Sequence, residues 1–308
     1  MNELYTIQGD RPDLAAIEVN APEGYIAEKV MPTLKVYQPA GTLDYHAKVS
    51  DDTAQTGRSA GTAPTATQIA QSYVTFNCAE VVKRGAIEPK QVPIMGGIEK
   101  ADQIGARFAK RQVMAYREAA VAALALKTAG SADTTFDAGA VVAQAAAARA
   151  ASKGISGRLC LVGASETLAA LYMELVTENA TSALLARIVS GTAPGVAMEG
   201  LDPAAQAKAV ATLFGCQDAL VGDDLIWGAG SCAGRFAIGR FDEASDDAHL
   251  FQPVFGRVLQ YIPDSGTPIA ITSTPFPKEL NNYYDALTYM VPKVLNASGV
   301  YVFDGVGA

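Results

Sequence analysis

The chain has 308 residues, of which 49% are hydrophobic and 18% charged, and its formal net charge is −8. That length allows one large domain or two modest ones with a sizeable buried core, and the acidic balance argues against a general polyanion binder. No basic and apolar leader opens the sequence and no run of about 18 apolar residues occurs, so neither a secretion signal nor a membrane span is expected.

Residues 1–28 mix polar and apolar residues without a clear period, and Pro12 and Pro22 interrupt any helix. They read as an extended arm with a short helical turn. In residues 29–40, Val30, Leu34, Val36 and Tyr37 predict a short strand fenced by Pro32 and Pro39. Thr42 to Val49 predicts a second strand. Residues 50–67 (SDDTAQTGRSAGTAPTAT) are almost free of large apolar residues, and Ile69 to Val82 then alternates as a strand does. Two strands joined by a long polar stretch predict a ribbon with little core of its own, marginal unless it lies on something. Residues 83–96 turn the chain into a proline-free stretch over 97–129, rich in alanine, which predicts one long helix of about 45 Å. Ile98, Ala101, Ile104, Gly105 and Phe108 fall on one stripe of its first half, predicted to face inward; its later half is apolar nearly all round.

A loop at 131–139 precedes an alanine-dominated helix over 140–152. Arg158 to Ser165 reads as a buried strand, followed by a helix from Glu166 to about Glu174 and a second helical pattern within 175–202. Pro203 starts a helix from Ala204 to Leu213, and strands are predicted at Phe214 to Val221 and Phe236 to Phe241. This alternation predicts a compact α/β unit over roughly 150–245, acidic late on at Asp218, Asp223, Asp224, Asp242, Glu243, Asp246 and Asp247. The last sixty residues return to strands at Val254 to Ile262, Pro268 to Thr272 and within Tyr283 to Phe303. The fold class is therefore α+β, with β-rich ends around an α/β insertion.

Candidate chemistry is thin. Gly57-Arg58-Ser59-Ala60-Gly61 matches the G-x-S-x-G serine elbow, and Asp223 or Asp242 followed by His249 would complete a triad in the required order. The elbow needs a strand before the serine and a helix after it; here both flanks read as loop. GDDLIWGAG (222–230) has no glycine-rich phosphate partner and reads as a turn with Trp227 as packing. Cys78, Cys160, Cys216 and Cys232 are scattered, and His46 and His249 are the two histidines, so buried thiols are expected rather than a zinc site. The sequons at Asn179 and Asn296 mean little without a secretory route. No catalytic, cofactor-binding or metal-ligating residue is assigned. Between Glu80 and Lys127, nine basic residues (Lys83, Arg84, Lys90, Lys100, Arg107, Lys110, Arg111, Arg117, Lys127) stand against five acidic ones (Glu80, Glu88, Glu99, Asp102, Glu118), a net +4. This is either a solvated helix face or a surface for a polyanion or acidic neighbour, held without sequence readout.

The order of elements, with IAEKVMPTLKVYQPAGTLDYH (26–46), SYVTFNCAEVVKRGAIEP (72–89), DQIGARFAKRQVMAYREAAVAAL (102–124), FGCQDALVGD (214–223) and VFGRVLQYI (254–262), resembles the major capsid proteins of tailed bacteriophages, the Hong Kong 97-type fold. The resemblance covers nearly the whole chain. It implies an N-terminal arm at 1–28; a peripheral domain beginning at 29–150, with an extended E-loop at 41–74 and a spine helix at 97–129; an axial domain at 151–250, with SGTAPG (190–195) as a candidate tip loop; and a peripheral return at 251–308. It further implies a structural, non-enzymatic subunit that assembles into pentamers and hexamers of an icosahedral shell around double-stranded DNA. Such a subunit is made in the host cytoplasm and ends in the virion. The implied partners are further copies of itself, a scaffolding protein, a portal, a decoration protein and packaged DNA. Some members form a lysine–asparagine cross-link; Lys48 with Asn281, Asn282 or Asn296 is a pairing too common to count. An encapsulin-type bacterial shell enclosing cargo enzymes shares the fold and stays open as an alternative, as do a hydrolase using Ser59 and a monomeric binding module that uses the ribbon.

Overall fold

A computed structural model describes residues 9–47, 71–127, 134–178, 202–241, 253–263, 267–276 and 281–306. The first third contributes β1 (Gly9–Asp10), α1 (Pro12–Ala15), α2 (Ala27–Val30), β2 (Thr33–Val36), β3 (Ala40–His46), β4 (Gln71–Asn77), β5 (Ala79–Ile87) and the long α3 (Ile98–Lys127). The middle contributes β6 (Thr134–Thr135), α4 (Val141–Ala151), β7 (Arg158–Ala164), α5 (Ser165–Glu178), α6 (Pro203–Leu213), β8 (Asp218–Gly222), α7 (Asp224–Trp227) and β9 (Phe236–Phe241). The last elements are β10 (Gly256–Tyr261), β11 (Ala270–Phe276), β12 (Asn281–Val294) and β13 (Val300–Asp304).

Strand β12 organises a six-stranded sheet. Antiparallel β5 lines one of its edges from Asn282 to Met290. The other edge is shared by β11 and then β10. Beyond β10 lies β2, parallel to it with Val258 opposite Thr33, and beyond β11 lies β1. Helix α3 packs its first half on this sheet. Gly96 and Gly97, at φ of +88° and +111°, turn the chain sharply into it. The approach is close: a Cβ on Gly105 would stand 2.3 Å from the Tyr284 ring, and one on Gly85 would stand 2.8 Å from the Gly105 carbonyl. An internal helix glycine costs about 1 kcal/mol against alanine; here the backbone-to-ring contact explains it.

That contact corrects the inward stripe expected for α3. Ala101, Gly105, Ala106, Ala109 and Val113 face the sheet, whereas Ile98, Ile104 and Phe108 are exposed. Large side chains do not fit a helix seated this close, so alanine and glycine take the inner face. The later half, with Val121, Ala122, Ala125 and Leu126 fully buried, is apolar inward as expected.

The second sheet, of order β6-β13-β9-β7-β8, carries the α/β insertion. Helices α4, α5 and α6 contribute Ala145, Leu168, Leu171 and Val210 to a core on one of its faces. Phe136, Phe214, Phe236 and Phe303 meet there, with Phe236 and Phe303 stacked at 4.8 Å between ring centroids. The other face, through Val162, Ala237, Val300 and Val302, joins the core around the C-terminal half of α3. One helix thus serves both sheets.

Three strand boundaries differ from expectation. The predicted strand Ile69 to Val82 is two strands broken at Cys78, whose amide donates to the Pro39 carbonyl at 2.7 Å as the chain leaves β4 for the main sheet. Phe214 ends α6 and sits among the phenylalanine rings; the strand starts at Asp218. The stretch Tyr283 to Phe303 divides into β12 and β13, which belong to different sheets. Residues 11–31 lie along α3 of the same chain, with Leu14, Ile26, Ala27, Val30 and Met31 buried.

Candidate assembly surfaces

The ribbon is a two-stranded sheet, β3 against β4, paired from Ala40 with Asn77 to His46 with Gln71. Its root is fixed by a small cluster of Leu34, Val36, Phe76, Cys78 and Leu259. Asn296 is buried beside it, and its amide nitrogen donates to the Val254 carbonyl at 2.8 Å and to the His46 carbonyl at 3.1 Å. Two strands alone are insufficient for independent stability, and among the described residues the ribbon is held at its root by this cluster and at the His46 end by Asn296. Tyr73 and Tyr37 are exposed, Tyr37 at 96%. An open groove of about 400 Å³ runs between β2 and the ribbon, floored by Leu34, Val36, Leu43 and Phe76. The polar stretch 50–67 lies outside the described residues.

A second surface follows from how α3 is seated. Ile104, Phe108, Gln112 and Tyr116 recur every four residues and form one outward ridge. Phe108 is 52% exposed, and the Lys83 ammonium lies 5.1 Å above the Tyr116 ring. Lys100, Arg107 and Arg111 are exposed on the same helix. The net +4 of this region is only partly a surface property. Lys110 is buried, Arg84 pairs with Asp285 and Lys90 with Glu88, and the half-buried Arg117 contacts Glu28.

Charged groups inside the molecule tie its parts together. Glu118, 3% exposed, accepts from the Ile26 and Ala27 amides at 2.5 and 2.9 Å and from the Trp227 indole N–H at 2.8 Å. Burial pushes its carboxyl above the ordinary range, while the indole and amide donors pull it back. Lys110, 7% exposed, donates to the Ala15 and Ile17 carbonyls at 2.6 and 2.7 Å, and burial pushes its ammonium below the usual lysine value. Asp102 accepts from the Tyr284 hydroxyl at 2.5 Å and from Arg11 at 3.3 Å. None of these pairings is legible from spacing, because each partner lies more than 90 residues away in the chain.

The remaining candidates come apart. Ser59, Asp242 and His249 lie outside the described residues, as do Lys48, Asn179, SGTAPG (190–195) and the acidic positions Glu243, Asp246 and Asp247. Asp223 shapes a turn: its carboxylate accepts from the Leu225 amide at 2.8 Å. Asp224 accepts from the Glu166 amide, and Trp227 is fully buried, so GDDLIWGAG joins the two cores through a packed turn. Asn281 and Asn282 begin β12, paired with Phe276 and Pro275 of β11. Among the described residues no three His, Cys, Asp or Glu side chains gather as metal ligands, and no helix is long and apolar enough to cross a membrane. Cys78, Cys160 and Cys232 are buried free thiols and Cys216 is half-buried.

No family model matches the sequence, and no curated protein matches it. The fold has clear neighbours among solved structures. A phage-related protein from Bordetella bronchiseptica is 15% identical, covers 98% of both chains and gives a TM-score of 0.65. The capsid protein of cyanophage P-SCSP1u is 11% identical, covers 96% of this chain and 92% of that one, and scores 0.54. A virus-like particle from Pyrococcus furiosus is 11% identical, covers 89% and 90%, and scores 0.51. From the sheet edge at Gly9 to the last strand, the chain has the Hong Kong 97-type fold of phage capsid proteins.

Proposed function

We propose that this chain is the major capsid protein of a tailed phage, a structural subunit that self-assembles into the pentamers and hexamers of an icosahedral head around double-stranded DNA. The observation that carries the reading is the end-to-end fold likeness to a phage-related protein, at 98% coverage of both chains, together with the likeness to a cyanophage capsid and a virus-like particle. Two surfaces support it. The β3–β4 ribbon adds only a small root cluster to the core, and α3 presents an apolar ridge of Ile104, Phe108 and Tyr116 to the outside. A monomer gains nothing by exposing either; contact between copies covers both. Such contacts join unlike patches and close into rings when the rotation allows.

In this reading residues 1–28 are the arm and 41–74 the E-loop laid across a neighbour. Helix α3 is the spine of a peripheral domain spanning 29–150 and 251–308, and residues 151–250 form the axial domain. Exposed Lys100, Arg107 and Arg111 favour contact with packaged DNA through phosphates alone. Further partners are a scaffolding protein, a portal and a decoration protein, and the subunit moves from the host cytoplasm into the virion. The role needs no catalytic residue or cofactor. An encapsulin-type shell, which shares the fold, is the second reading and is not favoured by the comparisons; the Pyrococcus furiosus neighbour is a virus-like particle at a lower TM-score than the phage-related protein.

Sedimentation with negative-stain imaging of the purified protein tests this. Shells or capsomer rings are expected, with an absorbance ratio in filled particles that reports nucleic acid. A shell filled with protein cargo supports the second reading. A 32.0 kDa monomer that never assembles, even beside a scaffold partner, overturns both.

A further inference from the structure

The contacts between residues 9–31 and α3 follow a regular plan. Arg11 meets Asp102, the Ala15 and Ile17 carbonyls meet Lys110, and the Ile26 and Ala27 amides meet Glu118. The three helix positions are eight residues apart. Each step is about 12 Å along the axis and about 80° around it, so the N-terminal segment runs parallel to α3 while winding about 160° around it.

The two ends of this segment are held differently. Ile26, Ala27, Val30 and Met31 are buried, and Glu118 fastens that end to both α3 and Trp227. Between Arg11 and Tyr25, Leu14 is the one fully buried apolar side chain; Pro12, Asp13, Ala16, Glu18, Asn20, Ala21 and Glu23 are exposed. Ala15 and Ile17 pack partly buried against the core, and the rest of the hold on this part is polar. A two-residue strand pairs at the edge of β11, the Arg11 amide donates to the Ile271 carbonyl at 2.8 Å, the Asp223 amide donates to the Gly24 carbonyl at 3.0 Å next to the pivot, and Arg11–Asp102 and Lys110–carbonyl act as latches. Among the described residues the Lys110 ammonium bonds two backbone carbonyls of the segment and no carboxylate. The two carbonyls stand in for the water that a buried ammonium loses, so the bond holds the segment while it is seated. Lifting the segment returns that hydration.

We propose that residues 9–25 form a hinged strap that lifts from α3 as one unit, pivoting at the Glu118-fastened Ile26–Ala27, with Lys110 as its latch. The strap's opening is a local event: the six-stranded sheet loses only its two-residue edge strand β1, and the inner face of α3 stays on β5 and β12. Once lifted, residues 9–25 are free of the body, roughly 60 Å if fully extended. The inference rests on intramolecular geometry and stands independently of the shell reading.

Amide hydrogen exchange read by mass spectrometry on the full-length, unassembled protein tests it, whatever the assembly experiment gives. Peptides within 9–25 are expected to exchange together, at least tenfold faster than peptides of α3 and β12 and faster than 26–31. Lys110→Met keeps the stem and removes the donor. It is expected to raise exchange of 9–25 at least another tenfold and leave β12 unchanged. If that variant fails to fold, Arg11→Ala, which cuts the more exposed latch, must give the same confined increase. Exchange of 9–25 as slow as β12 overturns the strap. An increase spread over the whole sheet, or none at all in either variant, overturns the latch.

Discussion

Glu118 is one of five acidic residues in a stretch that reads, residue by residue, as a solvated helix face. It is instead an internal acceptor shared by two segments from opposite sides in sequence, at Ile26–Ala27 and Trp227. Nothing in its local spacing separates it from exposed Glu99, because the difference is made by a tryptophan 109 residues later. Gly105 is equally silent in sequence, where it looks like a weak point in a good helix; in the fold its missing Cβ is the space occupied by the Tyr284 ring. Gly105→Ala is therefore expected to destabilise the monomer by about 1–3 kcal/mol despite alanine's better helix propensity, because the ring must move. A lowered denaturant midpoint with an unchanged slope checks this. Cys216 offers a chemical test of the second core. Burial beside Cys160 pushes its thiol up to about 12. The native state then keeps this proton while the unfolded chain releases it nearer pH 9, so this thiol's contribution to stability falls as pH rises through that window. At pH 8, native alkylation of Cys216 is expected to be at least a hundredfold slower than in denaturant, as read by peptide mass spectrometry.

Among the elements, α3 was the most legible: expected over 97–129, it spans Ile98–Lys127, because an unbroken alanine-rich run without proline has few other choices. Its orientation was not legible. Hydrophobic periodicity assumes that large apolar side chains seek the core, but a helix seated directly on a sheet leaves room only for glycine and alanine. The misread residues became the informative ones, since Ile104 and Phe108 face outward. Replacing both by aspartate is expected to leave monomer stability within about 0.5 kcal/mol, as for ordinary exposed positions, and to abolish particle formation in sedimentation. The break at Cys78 was hidden for a related reason. Tyr73 to Phe76, Val81 and Val82 favour strand and no glycine or proline lies between Tyr73 and Lys83, so the weaker strand formers Asn77, Ala79 and Glu80 do not by themselves mark the break, which the bond from Cys78 to Pro39 fixes.

At the scale of the whole molecule, the α+β class and the order of elements were legible because strands and helices alternate over long, strongly patterned stretches. The sharing of α3 between two sheets was not, since that depends on contacts remote in sequence. In the shell reading the ribbon belongs to the assembly more than to the monomer. Replacing residues 47–70 by a two-residue Asn-Gly turn is expected to preserve the circular dichroism spectrum and melting of the monomer, because the root cluster remains, while the variant sediments as a monomer under conditions that give shells with the intact chain. Strand β12 carries a different consequence, in time rather than space. It begins at residue 281, yet it is the partner that β5, β10 and β11 all require, and through β10 it holds β2. The main sheet cannot close until residues 281–294 have been made. Pairings of such long sequence separation close slowly. During synthesis, β2, β5 and the inner face of α3 therefore wait without their partner strand. They are exposed to chaperones and to aggregation until β12 arrives.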